Sequence, residues 1–83
     1  MATLHLRGEI DLTTRETFEQ ALEHVMDTDN DLTIDLSELS FIDGAGLRTL
    51  ARTADLLNQQ GRLLRLDQPS RHVRRLLTLV GLE

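Results

Sequence analysis

The chain has 83 residues, a net charge of −5, no cysteine, no lysine, and two Phe as its only Phe, Trp or Tyr residues. These numbers exclude a disulfide framework, a thiolate nucleophile and a zinc–thiolate site. They also exclude the basic face on which non-specific nucleic-acid binding relies. No apolar run approaches the ~20 residues of a transmembrane helix, and no signal-type apolar segment opens the chain. A single domain over residues 1–83, cytoplasmic and without membrane insertion, is the expectation. Its core must be aliphatic, with eighteen Leu supplying most of it. A domain of this length buries about 60–65% of its unfolded surface, so its stability should be modest.

In chain order, Leu4-His5-Leu6-Arg7 alternates apolar and polar residues, as a half-buried strand does. Gly8 to Asp11 breaks that pattern, and Thr13 with Glu16 reads as a capping box opening a helix. Phe18, Ala21, Leu22 and Val25 follow at helical spacing. A polar turn over Asp27–Asp31 leads to a second alternating strand, Leu32 to Ser37. A second helical stripe runs through Leu47, Leu50, Ala51, Ala54 and Leu57, and Gly61 suits its C-terminal stop. Arg62 to Leu66 is a third strand. Ser70 is placed to cap a third helix with the stripe Val73, Leu76, Leu77 and Val80, closed by Gly81. The order β-α-β-α-β-α calls for a mostly parallel sheet, because helices supply the long crossovers that parallel strands need. Right-handed crossovers gather such helices on one side of the sheet.

Between the second strand and second helix lies Phe41-Ile42-Asp43-Gly44-Ala45-Gly46-Leu47. Backbone N–H groups are exposed at such a junction, and small residues allow close approach. Asp43 is positioned to cap the helix and to meet the positive end of its dipole. It can do so and still lie in a partner surface. Each Gly weakens a helix by about 1 kcal/mol relative to Ala, so something must offset Gly44 and Gly46. Two explanations stand at this point: close approach by another protein, or tight packing against the sheet. A Walker-type phosphate loop is excluded by the absence of Lys.

Other candidates carry less. Glu9 and Asp11 are two carboxylates at a strand exit, but nothing else in the sequence supports acid–base catalysis by them. His5, His24 and His72 have no metal-ligand spacing. Arg71, Arg74 and Arg75 lie opposite the apolar stripe of the third helix, as a solvated face or an anion-binding patch. Charge is lopsided: residues 1–43 carry eleven acids and two Arg, whereas residues 44–83 carry seven Arg and three acids. The reading is a binding module that is not an enzyme and needs no cofactor.

The segment from Asp35-Leu36-Ser37 through Phe41-Ile42-Asp43 to Leu47 resembles the signature of the STAS family, D-x-S-x-x-x-F-x-D-S-S-G-L. Leu6-Arg7-Gly8-Glu9-Ile10-Asp11 is similar to that family's L-x-G-E-[LI]-D opening. Gly61 to Leu66 and Val73 to Leu82 are similar to its last parallel strand and the helix after it. The resemblance implies an anti-sigma factor antagonist, whose partner is an anti-sigma factor, often of the serine-kinase type. It also implies that the third residue of the D-S-S-G portion is the phosphoacceptor; that residue is Ala45 here, which cannot be phosphorylated. Thr49, the nearest following hydroxyl, lies a turn inside the helix and is a poor substitute. The partner face implied by the family comprises Glu9, Asp11, Asp43, Gly44, Ala45, Gly46, Leu47 and Arg48. STAS domains also serve as accessory subunits of ATP-driven lipid transporters, with a D-T-A-G-type signature resting on the transporter ATPase subunit; Asp43-Gly44-Ala45-Gly46 shares its third position but lacks the Thr. Family members usually have one more strand before the opening motif and often a further strand and helix at the end. The ends are therefore expected to be truncated relative to the family. Homo-oligomerisation through a sheet edge is the corresponding expectation, unless Arg7, Arg62 and Arg65 protect the edges.

Overall fold

The computed structural model describes residues 2–27 and 30–82. Three strands, β1 (Ala2–Ile10), β2 (Leu32–Ile42) and β3 (Leu64–Asp67), alternate with three helices, α1 (Arg15–Met26), α2 (Gly44–Gln59) and α3 (Arg71–Leu79). The sheet is parallel throughout, in the order β1-β2-β3. Its apolar side meets all three helices. Leu32, Ile34 and Leu36 of β2 share one buried cluster with Phe18 and Leu22 of α1, Leu47, Leu50 and Leu57 of α2, and Val73 and Leu77 of α3. The opposite side is polar: His5 faces Asp35 at 3.0 Å, and Arg65 pairs with Asp67 at 2.7 Å. A central strand with one polar face needs this alternation, because a slip of one residue would turn the apolar set to solvent.

β1 and β2 are longer than alternation suggests, and two bulges explain why. His5 pairs with Asp35 and Arg7 with Glu38, so two steps on β1 match three on β2. A second extra residue on β2 falls between Gly8↔Leu39 and Glu9↔Phe41, where one step on β1 matches two on β2. Each extra residue switches which residues point inward. The buried positions of β2 therefore run Leu36, Leu39, Ile42, at a spacing of three, which reads as the end of a strand. The first bulge is held by the Asp35 carboxylate, whose Oδ1 accepts from the Ser37 N–H at 2.9 Å. That hydrogen bond leads the causes that hold the Asp35 carboxyl below its ordinary range, followed by the Ser37 hydroxyl and then His5. At the second bulge, the Ser40 hydroxyl donates to the Gly8 carbonyl at 2.9 Å. Gly8 has φ +72°, a left-handed conformation that suits glycine at the kink.

The helix ends follow their sequence signals except at the start of α1. Ser70 caps α3, accepting from the Val73 N–H at 3.1 Å. Gly61 (φ +72°) follows α2, and the Arg62 N–H closes onto the Leu57 carbonyl at 2.8 Å in the six-to-one bond of a Schellman stop. The capping box at α1 does not form. Thr14, not Thr13, occupies the N-cap and makes no side-chain cap bond. The Asp11 carboxylate takes the Thr13 hydroxyl (2.7 Å) and N–H (2.9 Å), while the Thr14 hydroxyl donates to the Glu9 carbonyl (2.9 Å). The polar turn expected over Asp27–Asp31 includes residues 28–29, which lie outside the described residues.

The third strand also begins later than its sequence suggests, at Leu64. Arg62 is buried in the preceding connection, where Nε donates to the Asn30 carbonyl and Nη1 to Gln60 Oε1, both at 2.8 Å. It ties the α2–β3 connection to the start of β2 and does not guard a sheet edge.

Candidate interaction face at the C-terminal ends of the strands

Parallel strands deliver the exits of β1 and β2 to the same edge of the sheet. The Asp43 N–H donates to the Ile10 carbonyl at 2.9 Å, which fastens the β2–α2 junction to the β1–α1 turn. Asp43 is extended (φ −83°, ψ 176°), and its Oδ1 accepts from the Gly46 N–H at 2.8 Å. Its other oxygen lies 3.6 Å from Arg15 Nη2 at the start of α1. The carboxylate thus completes the first turn of α2 and links the two helices; a cap of this type contributes about 1 kcal/mol.

The two glycines beside it have different reasons. A Cβ on Gly46 would stand 2.7 Å from Ile42 Cγ1 and 2.9 Å from Ile10 Cγ2, closer than carbon atoms tolerate. Gly46 is therefore small so that α2 can pack against the sheet. A Cβ on Gly44 would meet only Arg48 Nη1, at 3.6 Å. Gly44 is exposed, Ala45 half-buried, Arg48 exposed, and Gly46 and Leu47 face the core. Of the expected partner residues, Gly46 and Leu47 thus act through packing, and the outward set is Glu9, Gly44, Ala45 and Arg48, with Asp11 and Asp43 half-buried between them.

Asp11 belongs to a turn in which the Thr14 N–H donates to the Asp11 carbonyl at 3.2 Å. The Asp11 N–H in turn donates to the Thr14 hydroxyl at 3.0 Å. The Thr13 hydroxyl, then the Thr13 N–H, hold the Asp11 carboxyl below the usual carboxylate range against a smaller opposing effect of burial. Asp11 is thus occupied in holding the turn. Its partner Glu9 sits exposed on β1.

Beside Ala45 a cleft of about 450 Å³ opens, lined by Arg15, Glu19, Arg48, Arg52 and Asp55 among others. Arg15 Nε is buried there with no hydrogen-bond partner among the described residues. A wider groove of about 990 Å³ is lined by Glu19, Glu23 and Asp27 together with Thr49, Arg52 and Leu56. Thr49 donates its hydroxyl to the Ala45 carbonyl at 3.0 Å, inside the helix. Two apolar residues lie on this edge, Leu12 in the β1–α1 loop and Phe41 at the start of the signature segment. Leu12, between Asp11 and Thr13, is largely exposed, and Phe41 is exposed enough for its ring to stack on His72, with centroids 6.2 Å apart. Among the described residues no group of three or more His, Asp or Glu side chains could hold a metal ion, and no helix is long and apolar enough to cross a membrane.

A family profile described as "Mlab, STAS domain" matches residues 1–83, and the chain belongs to that family. It is 42% identical over 60 residues to the anti-sigma-F factor antagonist RsfB of Mycobacterium tuberculosis, in two strains, covering 71% of this chain and 49% of that protein. The chain therefore spans about half the length of these mycobacterial relatives. It is 29% identical over 80 residues to the anti-sigma-B factor antagonist of Bacillus subtilis, covering 96% of this chain and 73% of that one. A solved structure described as "Crystal Structure Analysis of Mglu" superposes with a TM-score of 0.67 at 26% identity, over 83% of this chain and 17% of that chain.

Proposed function

We propose that this STAS domain is an anti-sigma factor antagonist that acts by binding, and that it lacks the serine switch. The observation that carries the reading is the Asp43-capped start of α2, which holds Ala45 half-buried at the mouth of a cleft lined by both Arg and acidic side chains. The names of its relatives in Mycobacterium tuberculosis and Bacillus subtilis support the same role. Docking of an anti-sigma factor on this edge frees the sigma factor it holds. Phosphorylation of a serine at this point would add about −1.5 to −2 charges to a crowded interface and expel the partner. Ala45 offers no hydroxyl, so a partner of the serine-kinase type would bind without switching this chain off. Binding in the cytoplasm, as a single domain, follows from the same reading.

The test uses the purified anti-sigma-F factor of Mycobacterium tuberculosis with labelled ATP. The expected result is a complex with no phosphate on residues 43–52. Ala45→Glu should weaken that complex about tenfold, in line with loss of an interface contact of about 1.4 kcal/mol. Ala45→Ser should restore an acceptor if the partner is a kinase. Stoichiometric phosphate on the parent chain rejects the missing switch, and unchanged affinity of Ala45→Glu rejects the face. Capture of a transporter ATPase subunit in place of an anti-sigma factor would favour the accessory-subunit role.

A further inference from the structure

We infer that the chain self-associates as a two-fold dimer, in which the free edge of β3 pairs antiparallel with β3 of a second copy. This goes beyond the anti-sigma factor role, and its test needs no partner protein.

Two observations show an open edge. β3 lies at the side of the sheet, and its inward residues Leu64 and Leu66 stay only partly buried, whereas their partners Leu32 and Ile34 on β2 are fully buried. The free edge also presents a fixed set of backbone groups. The Leu32 N–H donates to the Leu63 carbonyl at 2.9 Å, and Leu32 pairs with Leu64. The backbone groups of Leu63, Arg65 and Asp67 therefore turn toward β2. Those of Leu64 and Leu66 turn away, with no strand to receive them among the described residues.

Charge then selects the occupant. The polar side of β3 carries Arg65 and Asp67. Three two-fold registers bring the outward groups of Leu64 and Leu66 together across two copies. Centred on Leu64, the pairing sets Arg65 against Leu63 of the second copy and Leu66 against its buried Arg62, which is already engaged by Asn30 and Gln60. Centred on Arg65, it sets Arg65 against Arg65. Centred on Leu66, it sets Arg65 against Asp67 of the second copy, twice, while the two Leu66 residues exchange backbone hydrogen bonds and meet on the apolar side. Opposite charges directly across two strands attract and like charges repel, so the Leu66-centred register wins. One short strand supplies both halves of this match, which makes a second copy of the chain its complement. β1, the other edge, has no such register. It holds no carboxylate ahead of Glu9, its Arg7 is paired with Glu38, and it kinks at Gly8.

Antiparallel pairing sends the C-terminal ends of the two sheets in opposite directions, so both interaction faces stay open. A strand of four residues makes a small contact, and the dimer is accordingly weak.

The experiment is sedimentation equilibrium from about 10 µM to about 1 mM, a range that spans weak dissociation constants. The parent should show a monomer–dimer equilibrium in that range, weakened by added salt. Asp67→Arg leaves the strand with two cations, and Arg65→Asp leaves it with two carboxylates. Each alone should lose about tenfold or more in dimer affinity, since two attractions become two repulsions. An equimolar mixture of the two should return to within about threefold of the parent, because every Arg again faces a carboxylate. The double variant Arg65→Asp/Asp67→Arg should dimerise like the parent. Recovery in the mixture separates a lost contact from a lost fold. A parent that stays monomeric at about 1 mM, single variants that dimerise as the parent does, or a mixture no tighter than its components each overturns the inference.

Discussion

The two ends of the sheet use their polar groups in opposite ways. Where the strands begin, polar groups turn toward one another. Arg62 is buried against Asn30 and Gln60, and the Asp31 carboxylate accepts from the Leu63 N–H at 2.9 Å. Where the strands end, Asp11 and Asp43 do the same for the backbone, but Leu12, Arg48 and Arg52 are left facing outward. The first end is a clasp that keeps the layers together. The second is equally well held underneath and leaves side chains turned outward, which suits the binding role proposed above.

A substitution at Gly46 should have the largest effect, with Gly44 as its control. Gly46→Ala forces a methyl against Ile42 and Ile10 and should cost about 2–3 kcal/mol, as overpacking does, read as a lower denaturation midpoint. Gly44→Ala, two residues away, meets nothing closer than Arg48 and should stay within about 0.5 kcal/mol. Equal losses at both would show that α2 does not depend on close approach to the sheet.

Arg62 tests the other end. Arg62→Ala should cost about 2 kcal/mol, because it strips the partner from the Asn30 carbonyl and opens a gap. Arg62→Met keeps the packing stem and should recover part of the loss in urea melts. Neither should alter partner affinity at the opposite end of the sheet.

The smallest effect is in acid. Asp11 is held below its ordinary range by its Thr13 bonds, so its folded-state pKa is lower than its unfolded one. A depressed carboxylate stabilises the fold above the unfolded pKa, and that contribution is lost as pH falls through the folded value. Asp35 behaves likewise at the β2 bulge. The melting-temperature gap between the parent and Asp11→Ala should therefore be open at pH 6 and narrow as pH drops below about 4. A gap that widens in acid would reverse the assignment.

Much of this was legible in the sequence, and the failures have physical causes. Element order, the apolar stripes, the Ser70 cap and the glycine stops at Gly61 and Gly81 rest on local chemistry that tertiary packing did not alter. The Asp43 cap was legible for the same reason. The capping box at Thr13 failed because Asp11 competed for the same donors. β2 ran five residues past its expected end because two bulges replaced the period of two. Arg62 looked like a strand residue by alternation, yet its side chain found carbonyl acceptors across a loop, a long-range contact that no local pattern encodes. Sequence posed the two-glycine question but could not divide it; only the positions of Ile10 and Ile42 assign Gly46 to packing.

The paired bulges of β2 have a consequence for how this segment can change length. Each one shifts the inward phase by a single step, and together they return it to its starting parity, so Ile42 again points inward and Asp43 meets the end of α2. Losing the extra residue of either bulge would leave plain alternation there, with Leu36 and Leu39, or Leu39 and Ile42, two apart and still inward. Losing both would give an unbroken period of two from Leu32 to Ile42. The segment can therefore shorten by one residue or by two at its bulges without turning Ile42 from the core or the Asp43 cap from α2.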